Sequence, residues 1–294
     1  MNTPMSSVGV IIVTYNSADV IEPCLESLKA ASKLPLTVVV VDNASTDGTP
    51  YFVADHFPKV TIVRNPKNLY YAKANNQGLI HTGQSDVLLL NPDVVFPVDG
   101  IDEMRRILYS DDSIAAVAPK LVDPSGRRQR SLRELPGLDT LWYDLLGLSR
   151  LFKGSPRFDR WRMGYFDGRE ARDVEQPMAS CILVRHSVIA RIRLFDERYP
   201  MFFNDVDWCK RVKDRGWRIR YTPDVVVRHV GGASTRKRRV KMIWMSHAAY
   251  YRYLRQYNCR PPLKRIALWL SAPILWAAAV LRTVWWAVVR RSSH

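Results

Sequence analysis

Short apolar runs rich in β-branched residues alternate with amphipathic segments over the first 123 residues of this 294-residue chain. Residues 8–13 (VGVIIV) and 37–41 (TVVVV) contain no charge, which is typical of strands covered on both faces. Strand–helix alternation of this kind predicts an α/β fold with a mostly parallel sheet and right-handed crossovers. The other predicted strands are 60–63, 86–90 and 114–118, and the predicted helices are Ala18 to Ala31, Thr49 to Phe57, Ala72 to His81 and Val98 to Tyr109.

Polar residues directly follow four of the predicted strands. Ligands of open parallel sheets bind beyond the carboxyl ends of the strands, so these residues are the first candidates for a site. Some of them, such as Asp42 and Ser45, are also good turn formers and helix caps. Because all four sets should meet at the same edge of the sheet, a pocket is favoured over four unrelated turns. The sets are Thr14-Tyr15-Asn16, Asp42-Asn43-Ala44-Ser45, Arg64-Asn65 and Asn91-Pro92-Asp93.

A loosely patterned stretch, residues 124–172, interrupts the alternation. It begins with a basic, loop-like sequence and continues as LDTLWYDLLGLSRLF, which has apolar residues at helical spacing. We expect an insertion that carries one amphipathic helix. That helix would either pack on the core or act as a lid over a substrate or at a membrane. A strand is predicted next, over residues 176–185.

A second acidic cluster begins a helix predicted from Asp205 to about Arg215. Asp205 and Asp207 are expected to face a cleft, where the positive N-terminus of the helix stabilises their ionised forms. His229 follows a strand predicted over Val225 to Val227. A single histidine can be structural, but one that lies beside an acidic cleft can also bind a metal ion.

The net charge of +16 is concentrated at the C-terminal end of the chain. Residues 210–294 contain 20 Lys and Arg against 2 Asp and Glu, whereas residues 1–209 contain 24 basic and 26 acidic residues. Nucleic-acid binding is one interpretation of such charge. The basic region is also apolar and rich in tryptophan, and it contains no recognisable nucleic-acid module, so we expect no nucleic-acid partner.

The basic region predicts two helical segments. The first is a basic amphipathic helix preceded by the cluster Arg236 to Arg239. The second, residues 266–281, is uncharged but shorter than the roughly 20 residues that span a bilayer, and Pro273 lies in its middle. We therefore expect an interfacial or re-entrant hairpin on an anionic cytoplasmic membrane surface, with Lys264-Arg265 and Arg290-Arg291 at its ends. The alternative is a helical pair that docks on the catalytic domain or on another subunit. The apolar positions of the first helix are Val240, Ile243, Trp244, His247, Tyr251 and Leu254.

The four cysteines are widely spaced and form no CxxC pair, which favours reduced thiols over disulfides or a zinc site. The N-terminal apolar run, Val10 to Val13, is too short for the hydrophobic region of a signal peptide. Both observations predict a cytoplasmic location. The sequence leaves the oligomeric state open.

Six motifs in order resemble the family 2 glycosyltransferases of the GT-A fold, in particular their bacterial rhamnosyltransferase-like branch. The resemblance covers roughly residues 8 to 234 and implies a GT-A domain over 1–235, followed by a membrane-associating segment over 236–294. The motifs are IIVTYN, VVVVDNASTDGT, NPKNLYYAKANNQGL, LLLNPDV, FDERYPMFFNDVDWCKR and YTPDVVVRHVGGAS.

The resemblance also implies roles for individual residues. Asp93 would bind Mg²⁺ or Mn²⁺ on the donor diphosphate, and His229 would complete the metal site; such ions prefer oxygen ligands and few protein carboxylates. Asp205 would be the catalytic base, Asp207 would support it by positioning the acceptor, and Trp208 would stack on an acceptor sugar or lie in the core. The residues expected to bind the nucleotide-sugar donor are Thr14, Tyr15, Asn16, Asp42, Asn68, Lys73, Asn76 and Asn91.

One base and one metal without a nucleophile imply single displacement with inversion. The resemblance thus implies transfer of a sugar such as rhamnose from a dTDP- or UDP-sugar to a lipid-linked or growing surface polysaccharide. Two departures from the family pattern are Asn204, where many relatives have Glu, and Tyr70, where Gly is common. A sugar-1-phosphate nucleotidylyltransferase would need a Gly-rich basic loop after the first strand, which IIVTYNSADV lacks. A non-catalytic nucleotide-sugar-binding membrane adaptor is the other alternative.

Overall fold

The computed structural model of the protein describes residues 7–231, 239–259 and 261–291, the last three of these by their backbone only. Arg236 to Arg238 and the side chains of Arg290 and Arg291, which belong to the predicted basic clusters, lie outside this description. The chain forms two compact units. The described residues of the first unit are 7–133, 168–200 and 204–231, and those of the second are 134–167, 201–203, 239–259 and 261–291.

The first unit is an α/β structure around a nine-stranded sheet. Its strands are β1 (Val8–Thr14), β2 (Leu36–Asp42), β3 (Thr61–Arg64), β4 (Asp86–Leu90), β5 (Val94–Val95), β6 (Ile114–Val122), β8 (Arg172–Val174), β10 (Cys181–Val184) and β11 (Arg218–His229), while β7 (Leu132–Arg133) and β9 (Gln176–Pro177) form a separate pair. Its helices are α1 (Ile21–Ala31), α2 (Thr49–His56), α3 (Tyr70–Leu79), α4 (Gly100–Leu108), α7 (His186–Ile192) and α8 (Asn204–Asp214).

The strand order is β3-β2-β1-β4-β10-β6-β11-β5, with β8 paired to β11. Six of the nine strands (β1, β2, β3, β4, β6 and β11) run in the same direction, and β10 runs against its neighbours β4 and β6. The predicted α/β class and mostly parallel sheet are therefore confirmed. The register pairs Thr14 with Asp42 and Asp42 with Arg64, so the carboxyl ends of three strands lie side by side.

Helices cover both faces of the sheet. On one face, the core joins β1 and β4 to buried residues of α1 and α4, such as Leu28 and Met104. On the other face, α3 approaches β1 so closely that a Cβ added at Gly78 would lie 2.5 Å from Ile11. Only glycine permits this approach, because any side chain would displace the helix.

Two predicted elements are divided in the structure. The strand expected over 176–185 becomes β9 and β10, with a turn between Pro177 and Cys181. Pro177 has no N–H to continue a ladder, and it pairs with Leu132 at the edge of the small sheet. The single helix expected in the insertion becomes α5 (Leu138–Leu145) and α6 (Leu148–Leu151), because Gly147 adopts a positive φ of 72° between them.

The second unit contains α5, α6 and two long helices, α9 (Arg239–Tyr257) and α10 (Pro262–Arg291). The indole rings of Trp244 on α9 and Trp276 on α10 stack with centroids 5.8 Å apart. The expected hairpin within the apolar segment is wrong, since α10 is one continuous helix with Pro273 inside it. A proline inside a helix removes one backbone hydrogen bond and favours a kink, but here the helix continues on both sides of Pro273. Pro262–Val288 is long and apolar enough to cross a membrane by length and composition.

Candidate active site

The loops after β1 and β2 are joined by side chains from the predicted polar sets. The Thr14 hydroxyl donates to Oδ1 of Asp42 at 2.9 Å, and the Ser45 N–H donates to Oδ2 of the same carboxylate at 2.9 Å. The Asn16 N–H in turn donates to Oγ of Ser45 at 2.8 Å. Tyr15 lies between Thr14 and Asn16 in the loop after β1. Asp42 is 2% exposed, so its carboxylate ties the two loops together at the rim of the sheet. Its oxygens retain lone pairs for a further donor.

The segment after β3 is held by an amide network that the sequence analysis did not identify. Asn65 Nδ2 donates to Oδ1 of Asn43 at 3.0 Å and to Oε1 of Gln77 at 2.9 Å. At the start of α3, Oδ1 of Asn68 accepts from the Tyr70 N–H at 2.8 Å. Tyr70 has a φ of +63°, the left-handed region that glycine adopts without a Cβ clash. The structure therefore accommodates tyrosine in a backbone conformation that favours glycine.

Two of the predicted donor-binding residues on α3 contact protein groups instead. Asn76 Nδ2 donates to the Phe195 carbonyl at 2.9 Å, and its Oδ1 accepts from the Phe195 N–H at 3.1 Å. Lys73 Nζ lies 3.9 Å from Oε2 of Glu197 in the same loop. The amide of Asn76 is thus used on both sides to fasten residues 195–197 to α3. The half-exposed Lys73 retains donors, because an ammonium group has three.

Asp93 and His229 lie together after β4 and at the end of β11. His229 Nε2 lies 3.4 Å from Oδ1 of Asp93 and 3.4 Å from Nδ2 of Asn91. The Gly231 N–H donates to Oδ2 of Asp93 at 2.7 Å. Burial opposes ionisation of Asp93, but the His229 ring and the Gly231 N–H outweigh it and lower the pKa of the carboxyl. Both residues are almost fully buried, and the carboxylate is held in its charged form.

This pair has the chemistry of a divalent-cation site with few protein ligands. Mg²⁺ and Mn²⁺ at phosphate-transfer sites use one or two carboxylates and fill the remaining positions with phosphate oxygens and water. A carboxylate oxygen and an imidazole nitrogen that share one small volume fit that requirement. Within the described part of the chain, no group of three or more His, Cys, Asp or Glu side chains is placed to enclose a metal ion. The residues therefore fit a cation that a bound diphosphate would share.

Asp205 begins α8 and lies in a separate set of donors. Gln176 Nε2 donates to its Oδ2 at 3.1 Å, and the Val206 N–H donates to its Oδ1 at 2.9 Å. Desolvation by the surrounding protein nevertheless raises the pKa of Asp205, although the Val206 and Ala179 N–H groups oppose the shift. Part of the residue stays accessible. A desolvated but reachable carboxylate with a raised pKa is a good proton acceptor.

The turn at 178–180 adjoins both the Asp205 region and the Asp93 region. The Asn91 N–H donates to the Ser180 carbonyl at 2.8 Å, and the Tyr71 hydroxyl donates to the Ala179 carbonyl at 2.5 Å. The Ala179 N–H also lies close enough to Asp205 to oppose the rise in the pKa of its carboxyl. Residues 178–180 thus connect the loop after β4 with the N-terminus of α8. Residues 178–180 belong to the strand predicted over 176–185, and nothing in the sequence places them beside Asp205.

Asp207 and Trp208 are not brought to this site. Asp207 is 0% exposed, and its Oδ2 accepts from Arg211 Nε at 2.9 Å. Arg211 in turn donates to the carbonyls of Ile192 and Leu194, which anchors α8 to the end of α7. Residues two apart on a helix point to different sides, so Asp205 and Asp207 cannot share a face. The Trp208 ring is 2% exposed, as expected for the core alternative.

Comparisons with known proteins agree with this architecture. The profile of glycosyl transferase family 2 matches residues 9–174. The N-acetylglucosaminyl-diphospho-decaprenol L-rhamnosyltransferase of Mycobacterium tuberculosis is 29% identical over 278 residues, which cover 91% of this chain and 87% of the relative.

Solved structures share the fold. The mannosyltransferase PcManGT from Pyrobaculum calidifontis, in complex with GDP-Man and Mn²⁺, superposes with a TM-score of 0.55 at 21% identity. That match covers 97% of this chain and 79% of the mannosyltransferase. TarS from S. aureus, in complex with UDP, gives a TM-score of 0.52 at 18% identity and covers 83% of this chain and 65% of TarS. The chain therefore belongs to glycosyltransferase family 2, in its rhamnosyltransferase-like branch, and has a GT-A fold.

Proposed function

We propose that the protein is an inverting, divalent-cation-dependent transferase that moves a sugar from a dTDP- or UDP-sugar to a lipid-linked or growing surface polysaccharide. L-Rhamnose is the first donor sugar to test, because the mycobacterial relative is named as an L-rhamnosyltransferase that acts on a diphospho-decaprenol acceptor. The observation that carries the proposal is the pair of chemically distinct acids at one rim. Asp205 has a raised pKa, and Asp93 has a lowered pKa beside His229.

The two acids suit opposite tasks. Asp205 takes the proton of the acceptor hydroxyl while that oxygen forms the new bond to the anomeric carbon. The bond from the anomeric carbon to the phosphate oxygen breaks, and the nucleoside diphosphate leaves with the electron pair. Asp93 and His229 would hold a divalent cation, whose charge would stabilise the departing diphosphate. One displacement inverts the anomeric configuration.

The donor would lie along the loops after β1, β2 and β4. Asp42 accepts a hydrogen bond from the base, Thr14, Tyr15 and Asn16 border the nucleoside, and Asn91 contacts the diphosphate. Asn68 and Lys73 lie at the start of α3, where the half-exposed ammonium group of Lys73 adds positive charge near the phosphates. Asn76, whose amide is already used to fasten the 195–197 loop, supports this wall rather than the donor itself.

We place the acceptor at the cytoplasmic face of a bacterial membrane. The second unit supports this placement, since α10 exposes large apolar side chains, of which Trp269 is 71% exposed. A groove in the same unit combines Arg255 and Arg265 with Trp269 and Ile266. No carboxylate in the described part of the chain forms an ion pair with either arginine, so both are available for lipid phosphates. Apolar burial together with arginine–phosphate contacts binds helices to anionic membranes.

Donor hydrolysis and transfer with purified protein test the proposal. The full chain, in detergent with Mn²⁺ or Mg²⁺, is offered dTDP- and UDP-sugars with and without a polyprenyl-diphosphate-linked acceptor. Release of nucleoside diphosphate with one donor, dependent on the lipid acceptor and abolished by EDTA, is the expected result. Donor binding without release in the presence of the lipid acceptor would instead favour the non-catalytic adaptor.

A further inference from the structure

The ability of His229 to bind a cation through Nε2 depends on which ring nitrogen carries the proton. A neutral imidazole has one N–H and one lone pair, and the hydrogen bond made by one nitrogen decides the role of the other. Nε2 faces Asp93 and Asn91, each at 3.4 Å. Nδ1 points away from them and lies 2.7 Å from Oε1 of Gln129. Gln129 comes from the basic loop before β7, and the sequence analysis did not identify it.

The orientation of the Gln129 amide follows from its second contact. Gln129 Nε2 lies 2.6 Å from the backbone carbonyl oxygen of His229, and an amide nitrogen can only donate to that oxygen. Oε1 must then face Nδ1, and an amide oxygen can only accept. The opposite orientation would place two oxygens against each other, so the hydrogen-bond pattern selects a single assignment. The bond to Oε1 therefore places the proton on Nδ1.

The backbone of the loop holds Gln129 beside β11. The Gln129 N–H donates to the carbonyl of Leu121 on β6 at 2.9 Å, and the Ser131 N–H donates to the Gln129 carbonyl at 2.9 Å. Leu121 is paired with Val227, two residues before His229. The side-chain amide is partly buried and contacts both the ring and the main chain of the same residue. This arrangement fixes the position of the imidazole as well as its tautomer.

We propose that Gln129 is a positioning residue that holds a proton on Nδ1 of His229, so that Nε2, which faces Asp93 and Asn91, is the ring nitrogen left to bind a divalent cation. The proposal rests on the proposed function for its cation. It assigns a task to a side chain that contacts neither sugar nor phosphate in the proposed scheme. Loss of such supporting contacts typically weakens metal binding by about 10- to 100-fold.

Histidine tautomers can be read directly without turnover. The full chain, labelled with ¹⁵N-histidine in detergent, contains six histidines, and His229→Gln assigns the signal of interest. At a pH where imidazoles are neutral, wild-type His229 should give the long-range ¹H–¹⁵N pattern of an Nδ1–H ring. Gln129→Met, which keeps the length but removes both hydrogen bonds, should give a mixture of tautomers. Gln129→Glu keeps an acceptor for Nδ1 but loses the donor to the His229 carbonyl, so it should restore the Nδ1–H signal only in part.

Mn²⁺ affinity, measured by electron paramagnetic resonance with saturating UDP or dTDP, is the second readout. Gln129→Met should weaken it by about 10- to 100-fold. Gln129→Glu, which keeps only the acceptor for Nδ1, should lose less Mn²⁺ affinity than Gln129→Met. Arg130→Met, a change of an exposed side chain in the same loop, should match the wild type in both readouts.

The two readouts separate this proposal from the proposed function. A pure Nδ1–H pattern in Gln129→Met, or unchanged Mn²⁺ affinity in that variant, would overturn the role of Gln129. Absence of Mn²⁺ binding in the wild type with either nucleotide would overturn the cation site of the proposed function, and with it the purpose of the tautomer. The NMR result would still decide whether Gln129 sets the protonation of the ring.

Discussion

The side-chain amide of Gln176 donates a hydrogen bond to Oδ2 of Asp205 at 3.1 Å, across 29 residues of sequence. Gln176 is buried, whereas Asp205 is partly accessible, so the amide supports the inner side of a carboxylate that can meet a substrate. The bond stabilises the charged form of Asp205. Desolvation acts in the opposite direction and prevails, which raises the pKa of the carboxyl.

This balance predicts the pH dependence of transfer. A base works only when deprotonated, so activity should fall as the pH drops through the raised pKa of Asp205. Gln176→Met removes a donor to the charged form, and the pKa should rise further. A lost bond to a charged group corresponds to a shift of the acidic limb of kcat to higher pH by about one unit. Glu175→Gln, a change of the adjacent residue that pairs with Lys213, is the control and should leave this limb in place.

Sugar transfer should require a divalent cation, and binding of that cation should require the carboxylate of Asp93. EDTA should abolish transfer and Mn²⁺ should restore it, because the proposed site shares its cation with the donor diphosphate. Asp93→Asn removes the negative charge while keeping the shape, and it should weaken Mn²⁺ binding measured in the presence of UDP or dTDP. Asp99→Asn, which only breaks a surface pair with Lys33, serves as the matched control. Equal Mn²⁺ affinity in the two variants would contradict the assignment of Asp93.

Asp207 should matter for stability rather than for chemistry. Asp207→Ala leaves the guanidinium of Arg211 without its carboxylate in a mostly buried position. Breaking a buried pair from one side costs about 3–5 kcal/mol of unfolding free energy. Asp214→Ala, on the same helix, breaks a partly exposed pair with Lys210 and should cost no more than about 1 kcal/mol. Urea denaturation of both variants measures the difference, and equal losses would show that the Asp207 pair is not structural.

Membrane binding should depend on the groove arginines and on the exposed face of α10. Vesicle flotation separates the charge contribution of the arginines from the apolar contribution of α10. Anionic phosphatidylglycerol vesicles report on both contributions, and zwitterionic phosphatidylcholine vesicles report mainly on the apolar one. The double variant Arg255→Gln/Arg265→Gln should lose most of the preference for anionic vesicles. Trp269→Ala should weaken binding to both. Arg150→Gln/Lys153→Gln removes the same charge from exposed positions outside the groove, and a loss as large as in the groove variant would argue for net charge alone.

The fold was largely predictable because its signals are local. Apolar runs with β-branched residues predicted five strands, namely β1, β2, β3, β4 and β6. The alternation of strands with helices predicted that these five strands run in the same direction. The insertion of β10 between β4 and β6 was not predictable, since a pairing between Leu183 and Leu88 leaves no local mark on the sequence. Likewise, the apolar composition of α10 was visible, but Pro273 wrongly suggested a break.

The site was predictable only in part, for a similar reason. Asp93 and His229 lie at or just after the ends of strands, and Asp205 lies at the start of a helix. The alternation of strands and helices in the sequence was therefore enough to identify them as candidates. Gln129 lies in a loop and Gln176 begins the two-residue strand β9, and only tertiary contacts reveal what their side chains do. Asp207 was given an acceptor-side role because it lies near Asp205 in sequence. Helix geometry places residues two apart on different sides, which the sequence analysis could have used.

The most direct test of the account compares Asp205→Asn with the wild-type protein, using the donor identified in the screen and a polyprenyl-diphosphate-linked acceptor. Nucleoside diphosphate release gives the rate, and calorimetry gives the donor dissociation constant. Loss of a general base should lower the rate by about 10²- to 10⁴-fold. The donor dissociation constant should not change, because Asp205 acts on the acceptor. A rate close to that of the wild type would show that Asp205 is not the base and would contradict the central claim.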